Sequence, residues 1–145
     1  MSETTQSFSN HTRWHVPFHF VLFPILFIHT VWCAGHIFKE PTLENAEQLM
    51  LAFGLVVMAL LTRINPLKAQ DRLIRLEEQL RYQHLLPADL AARAGALPVR
   101  FIVAMRFASD AELPDLAQLA VDGGFAKPKD LKEAIKNWRG DYHRV

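Results

Sequence analysis

The alternation of apolar and polar positions divides the chain near residue 66. Residues 16–38, VPFHFVLFPILFIHTVWCAGHIF, run 23 residues without an Asp, Glu, Lys or Arg. At a rise of about 1.5 Å per residue, a helix of this length extends roughly 34 Å, enough to cross a hydrocarbon core of about 30 Å with some tilt. A second apolar run, LMLAFGLVVMALL, occupies residues 49–61. It reaches spanning length only if the helix takes in flanking residues over about 46–64, with the Arg63 guanidinium snorkelling to the headgroups. The pattern predicts a transmembrane helical hairpin over 15–66, with helices at about 16–38 and 46–64, preceded by an N-terminal segment at 1–14. Pro17 falls near a helix start, where its missing N–H costs little, whereas the interior Pro24 predicts a kink.

Beyond Asn65-Pro66, expected to end the second helix, the pattern becomes amphipathic. Residues 67–86, LKAQDRLIRLEEQLRYQHLL, place Ala69, Leu73, Leu76 and Leu80 at three- and four-residue spacing, one apolar stripe on a helix. Asp71 with Arg75, and Glu77 with Arg81, are acid-before-base pairs at i,i+4. Two heptads fall short of a sustained coiled coil, so the stripe must bury itself against the rest of the tail, a second copy or a membrane surface. Pro87 breaks this helix. Short helices are then expected over 86–94, ending at Gly95; over 97–107; from a capping-box spacing at Ser109 and Glu112 to about Asp122, where Gly123-Gly124 punctuates; and from Lys127 to about Trp138, with Leu131, Ile135 and Trp138 on one face. The fold class is all-α: a two-helix hairpin, an amphipathic helix and a compact module of three or four short helices forming a cytoplasmic domain over 67–145.

Charge sets the topology. From Arg63 onward there are 14 Lys/Arg against 11 Asp/Glu, and Arg63, Lys68, Arg72, Arg75 and Arg81 follow the second run closely. The link between the runs carries Lys39, Glu40, Glu44 and Glu47. Lys and Arg near span ends stay on the cytoplasmic side, so both termini are expected inside and residues 39–46 outside. Trp14 and Trp32 lie towards opposite ends of the first span, as interfacial aromatics do. A signal peptide is the poorer reading, because the preceding MSETTQSFSNHTRW, with one Arg and one Glu, makes a weak positive region and the apolar run is too long. No dense Lys/Arg stripe with interleaved aromatics suggests nucleic acid. Cys33 is the single cysteine, so no intrachain disulfide forms, and within the run it reads as a small buried hydrophobe.

RINPLKAQDRLIRLE after the hairpin, RFASDAELPDLAQLA at 106–120 and KEAIKNWRGDYHRV at the C-terminus together resemble a small uncharacterised bacterial family of membrane proteins of about this length, a domain of unknown function. The resemblance covers nearly the whole chain. It implies a bacterial inner-membrane protein and carries no activity, cofactor or catalytic residue with it.

Candidate chemistry rests on histidines. Of seven, His11, His15, His19, His29 and His36 lie in or beside the first span. An ionisable group near mid-bilayer, as His29 should be, is a functional candidate by default. One reading makes His19 or His29 an axial ligand of a haem or other tetrapyrrole, with Met50 or Met58 as the sixth ligand or, for His29, its counterpart in a second copy. Another places a metal at His15 and His19, whose i,i+4 spacing suits zinc but which lack further ligands in the chain. The favoured reading is structural: neutral imidazoles hydrogen-bonding within the bundle, with no cofactor. Glu40, Glu44 and Glu47 read as a solvated loop, and Asp141, Tyr142 and His143 as a solvated terminus. No phosphate-binding glycine loop, nucleophile elbow or HExxH is present. The sequence thus points to a non-enzymatic accessory or scaffold subunit in a homo-oligomer or larger membrane complex. The contacts expected to build it are Leu73, Leu76 and Leu80 in the tail, with Gly54 and Ala59 allowing close helix approach.

Overall fold

A computed structural model describes residues 6–8 and 14–141. Every named element among them is helical. The chain divides into two compact units, residues 13–66 and residues 67–145 with residues 1–12.

In the first unit a π-helical stretch, Pro17–Leu22, leads directly into α1, Phe23–Lys39. The irregularity lies where Pro24 predicts one. The Phe23 N–H reaches back five residues to the Phe18 carbonyl, so the wider π turn immediately precedes the residue that has no N–H to offer. Thr30 folds its hydroxyl onto the Leu26 carbonyl at 2.8 Å. A three-residue link, Glu40–Thr42, joins α1 to α2, Leu43–Leu85. Thr42 Oγ1 caps α2 by accepting the Asn45 N–H at 3.2 Å, and the Asn45 amide donates to the Glu40 carbonyl at 2.8 Å. The buried side chains here are small: Cys33, Ala52 and Ala59. Most of the large apolar ones are exposed.

The second helix differs from expectation at both ends. It starts at Leu43 and runs on through Asn65 and Pro66 to Leu85, one element of 43 residues. Proline removes one helix hydrogen bond and crowds the carbonyl four residues back, which here is Thr62. Thr62 and Pro66 are both exposed, so that carbonyl is not stranded in a core, and the helical segments on either side hold the backbone in register.

The second unit builds a core from Tyr82 and Leu86 at the end of α2 and from four short helices: α3, Ala88–Gly95; α4, Val99–Met105; α5, Leu113–Val121; and α6, Pro128–Ala134. Prolines start them all. Pro87 and Pro98 occupy the position before the first helical residue, and Pro114 and Pro128 sit in the first turn, where a missing N–H goes unnoticed. α3 packs on α5, and α4 packs on α5 and α6. Gly123 closes α5 at φ 80°, a left-handed conformation that suits glycine, and the Gly124 N–H caps the Leu119 carbonyl at 2.9 Å.

Two expectations for this unit are corrected. Glu112 does not close a capping box with Ser109. Its carboxylate accepts the Asn137 backbone N–H at 3.1 Å and side-chain amide at 3.2 Å. α6 stops at Ala134 and Ile135 turns extended, two residues before Asn137. Trp138 therefore joins the core from a strand-like segment and not from a helix face. It forms an antiparallel bridge with Ala108, and its ring centroid lies 4.8 Å from that of Phe107.

Candidate functional site

On α2 the buried register of the second unit is Ile74, Glu78 and Tyr82, spaced i, i+4, i+8 on one face. Glu78 is only 3% exposed, a carboxylate placed among core residues. Taking that charge out of water pushes its carboxyl up from the ordinary range; Arg81, then Arg139, pull it back, and Glu77 pushes it up further. Burial likewise pushes the neighbouring Tyr82 phenol up, keeping it neutral, and its hydroxyl donates to Met105 Sδ at 3.5 Å.

Glu78 forms the base of a cleft of about 540 Å³ lined by Glu77, Arg81, Arg106, Asp110, Arg139 and Asp141. Arg81 is its hub. The guanidinium donates to Glu78 Oε2 at 3.1 Å, to the Ala108 carbonyl at 2.8 Å and to Asp110 Oδ1 at 2.6 Å. Arg139 Nη1 approaches Glu78 Oε1 at 3.5 Å. Arg106 Nε meets Asp141 Oδ2 at 3.0 Å while its guanidinium carbon sits 4.4 Å from the centre of the Phe107 ring. The Asp141 N–H donates to Gln6 Oε1 at 2.7 Å, bringing the start and end of the described chain together. Chemically the cleft is a network of paired charges of both signs, Arg81 with Glu78 and Asp110, Arg139 with Glu78, and Arg106 with Asp141, with the exposed Glu77 at its edge. It ties α2, the turn after α4 and the C-terminal segment to one another.

This network departs from the sequence reading twice. Arg81 turns to the buried Glu78 and to Asp110 instead of Glu77. Asp141 is paired and three-quarters buried, not a solvated terminus. Tyr142 and His143 lie outside the described residues, as does His11. The signal for Glu78 was present but indirect: an acid four residues from both Ile74 and Tyr82 shares whichever face they bury.

The predicted histidines are dispersed. His19 Nδ1 pairs with the His15 carbonyl at 3.0 Å, and its ring meets Trp14 and Phe18 edge-on, each at 5.1 Å between centroids. His29 is exposed on α1, with Nε2 3.7 Å from Cys33 Sγ. His36 lies beside the Trp32 ring at 5.1 Å. Among the described residues no group of three or more His, Cys, Asp or Glu is placed to hold a metal ion. Of the expected contact residues, Leu73, Leu76 and Leu80 are half exposed, so the tail of the same chain does not cover the stripe. Gly54 is exposed, with open space where a Cβ would stand. Ala59 is buried inside the first unit.

Both Pro17–Lys39 and Leu43–Leu85 are long and apolar enough to cross a membrane, and in their most apolar windows only 6% and 11% of residues are buried. No curated protein and no solved structure matches the chain. One family does match, over residues 1–145, and it is described as a family of unknown function; the chain belongs to that family, DUF6526.

Proposed function

We propose that this protein is a non-enzymatic integral protein of the bacterial inner membrane, a helical hairpin carrying a cytoplasmic helical module that acts as a scaffold or accessory subunit. One observation carries the reading. The first unit exposes Phe38 (88%), Met50 (72%), Trp32 (67%), Leu51 and Ile28 (66% each), while the second unit buries a complete core. Apolar surface costs about 25 cal/mol per Å² in water, and soluble monomers rarely show contiguous apolar patches beyond a few hundred Å². The same sequence that closes one core leaves the other helices bare, which suits lipid as their solvent. The cations from Arg63 to Arg81 and the acidic link at Glu40, Glu44 and Glu47 favour cytoplasmic termini.

The module supports a binding role over a catalytic one. Among the described residues its polar cleft is lined mainly by paired charges and places no nucleophile beside a base. The partners are the bilayer and other protein chains, including further copies, and not nucleic acid. No cofactor is part of the reading.

The test is membrane extraction and labelling. Alkaline carbonate should leave the protein in the pellet, and a cysteine at Thr42, in a Cys33→Ser background, should react with a membrane-impermeant maleimide from outside. Release by carbonate refutes the integral reading; labelling only after lysis inverts the topology. A visible band at near-stoichiometric intensity in the detergent-purified protein, lost on His19→Ala or His29→Ala, replaces the scaffold with a tetrapyrrole-binding subunit.

A further inference from the structure

We infer that the stripe Ala69, Leu73, Leu76 and Leu80 docks on the same stripe of a second copy, as a short parallel two-helix zipper locked by reciprocal Arg72–Glu77 ion pairs; this rests on the membrane reading above. Leu73, Leu76 and Leu80 are 55%, 55% and 51% exposed, although the module they belong to has a closed core. They lie on the opposite side of α2 from Ile74, Glu78 and Tyr82, so this side is unused by the chain's own fold. Their spacing of four, three and four residues is that of a knobs-into-holes seam.

The charges beside the seam select the occupant. Arg72 borders it on one side and Glu77 on the other, both exposed, and among the described residues neither forms an ion pair within the chain. When two such helices run parallel and in register, each flanking residue faces the opposite flank of its partner five residues further on. Arg72 then meets Glu77 of the second copy, and the two-fold axis repeats the pair. An antiparallel arrangement brings flanks of the same kind together and loses both pairs. Two chains inserted the same way in one bilayer present this helix in the same direction, which is the parallel case. A lipid surface fits less well. Amphipathic helices lying on membranes carry cations along the apolar border, whereas Glu77 would be pressed against anionic headgroups. Two heptads are too few to associate in dilute solution, but confinement to a membrane raises the effective concentration of the partner stripe.

The experiment is oxidative cross-linking of the full-length protein in membranes, in a Cys33→Ser background. Leu73→Cys and Leu80→Cys should each give a disulfide-linked dimer, and Lys68→Cys, exposed but off the stripe, should not. Adding Arg72→Glu to Leu80→Cys should abolish the dimer band, and adding Glu77→Arg as well should restore it. Absence of a band at both 73 and 80, an equal band at 68, or failure of the double swap to restore what Arg72→Glu removes overturns the inference. A carbonate wash of the same membranes separates the two levels. Protein that stays in the pellet without a dimer band refutes the zipper alone, and protein that washes off refutes the membrane reading beneath it.

Discussion

Glu78 offers the sharpest test of what holds the helical module together. Two effects compete at this side chain. Orphaning one member of a buried ion pair costs about 3–5 kcal/mol, which by itself predicts a severe loss for Glu78→Gln. Burial, however, outweighs Arg81 and Arg139 and leaves the carboxyl raised, so the ionised side chain is less favourable in the folded state than in the unfolded one. Gln keeps the shape and one acceptor oxygen, and Arg81 retains Asp110 and the Ala108 carbonyl. Glu78→Gln should therefore change stability by no more than about 1 kcal/mol at pH 7, the net worth of a typical hydrogen bond. The pH dependence follows with its sign. A carboxyl raised above its ordinary 4.5 binds more protons folded than unfolded. Its contribution is full below pH 4.5 and is lost as the pH rises through the raised value. Wild type should thus gain stability relative to Glu78→Gln as the pH falls from neutrality toward 4.5. Guanidinium titrations in mild detergent measure this, read by Trp138 fluorescence in a Trp14→Phe, Trp32→Phe background. A loss of about 3 kcal/mol or more at pH 7, with a wild-type advantage that shrinks on acidification, would refute the reasoning and make the arginine attraction dominant.

Three further outcomes are checked by the same titration. Arg81→Met, which removes three anchors at once and leaves Glu78 buried without its nearest cation, should cost about 3 kcal/mol, while Asp110→Asn, at a 68%-exposed carboxylate, should cost less than about 1 kcal/mol. Gly124→Ala sets a Cβ 2.5 Å from Leu119 Cδ1 and 3.0 Å from the Leu119 carbonyl oxygen, so it should destabilise more than Gly123→Ala, whose φ of 80° costs about 1 kcal/mol. Leu131→Ala, at a fully buried core position, should cost about 2–5 kcal/mol, whereas Leu119→Ala, 46% exposed, should cost clearly less.

Much of the local structure was legible because its causes are local. A 23-residue run without charge matches the length of one membrane-spanning helix, and proline and glycine mark the boundaries of the short helices by their own backbone limits, as at Pro87, Gly95, Pro98 and Gly123. Local rules misled where distant residues intervened. Pro66 satisfies every rule for a helix stop, yet the helix runs through it, since its exposed position keeps the cost small. The helical pattern over 127–138 ends early, at Ala134, and the chain beyond it is held at Asn137 by Glu112, the residue just before α5. Asp141 looked like a chain end until Arg106 and Gln6 claimed it.

The sequence by itself determined an all-helical chain, with two helices long and apolar enough for a membrane followed by a series of short helices, because helical period, apolar length and the backbone preferences of proline and glycine act within a few residues. Only the tertiary structure decided which side of α2 is covered. Residues 67–86 carry two faces with apolar residues, and the more obvious one, Leu73, Leu76 and Leu80, is left bare. The side with Ile74, Glu78 and Tyr82 is buried instead, with Met105 against Tyr82, Arg139 against Glu78, and the Ala108 carbonyl and Asp110 on Arg81 beside them. Burial is settled by partners tens of residues away, and periodicity along one helix holds no record of them.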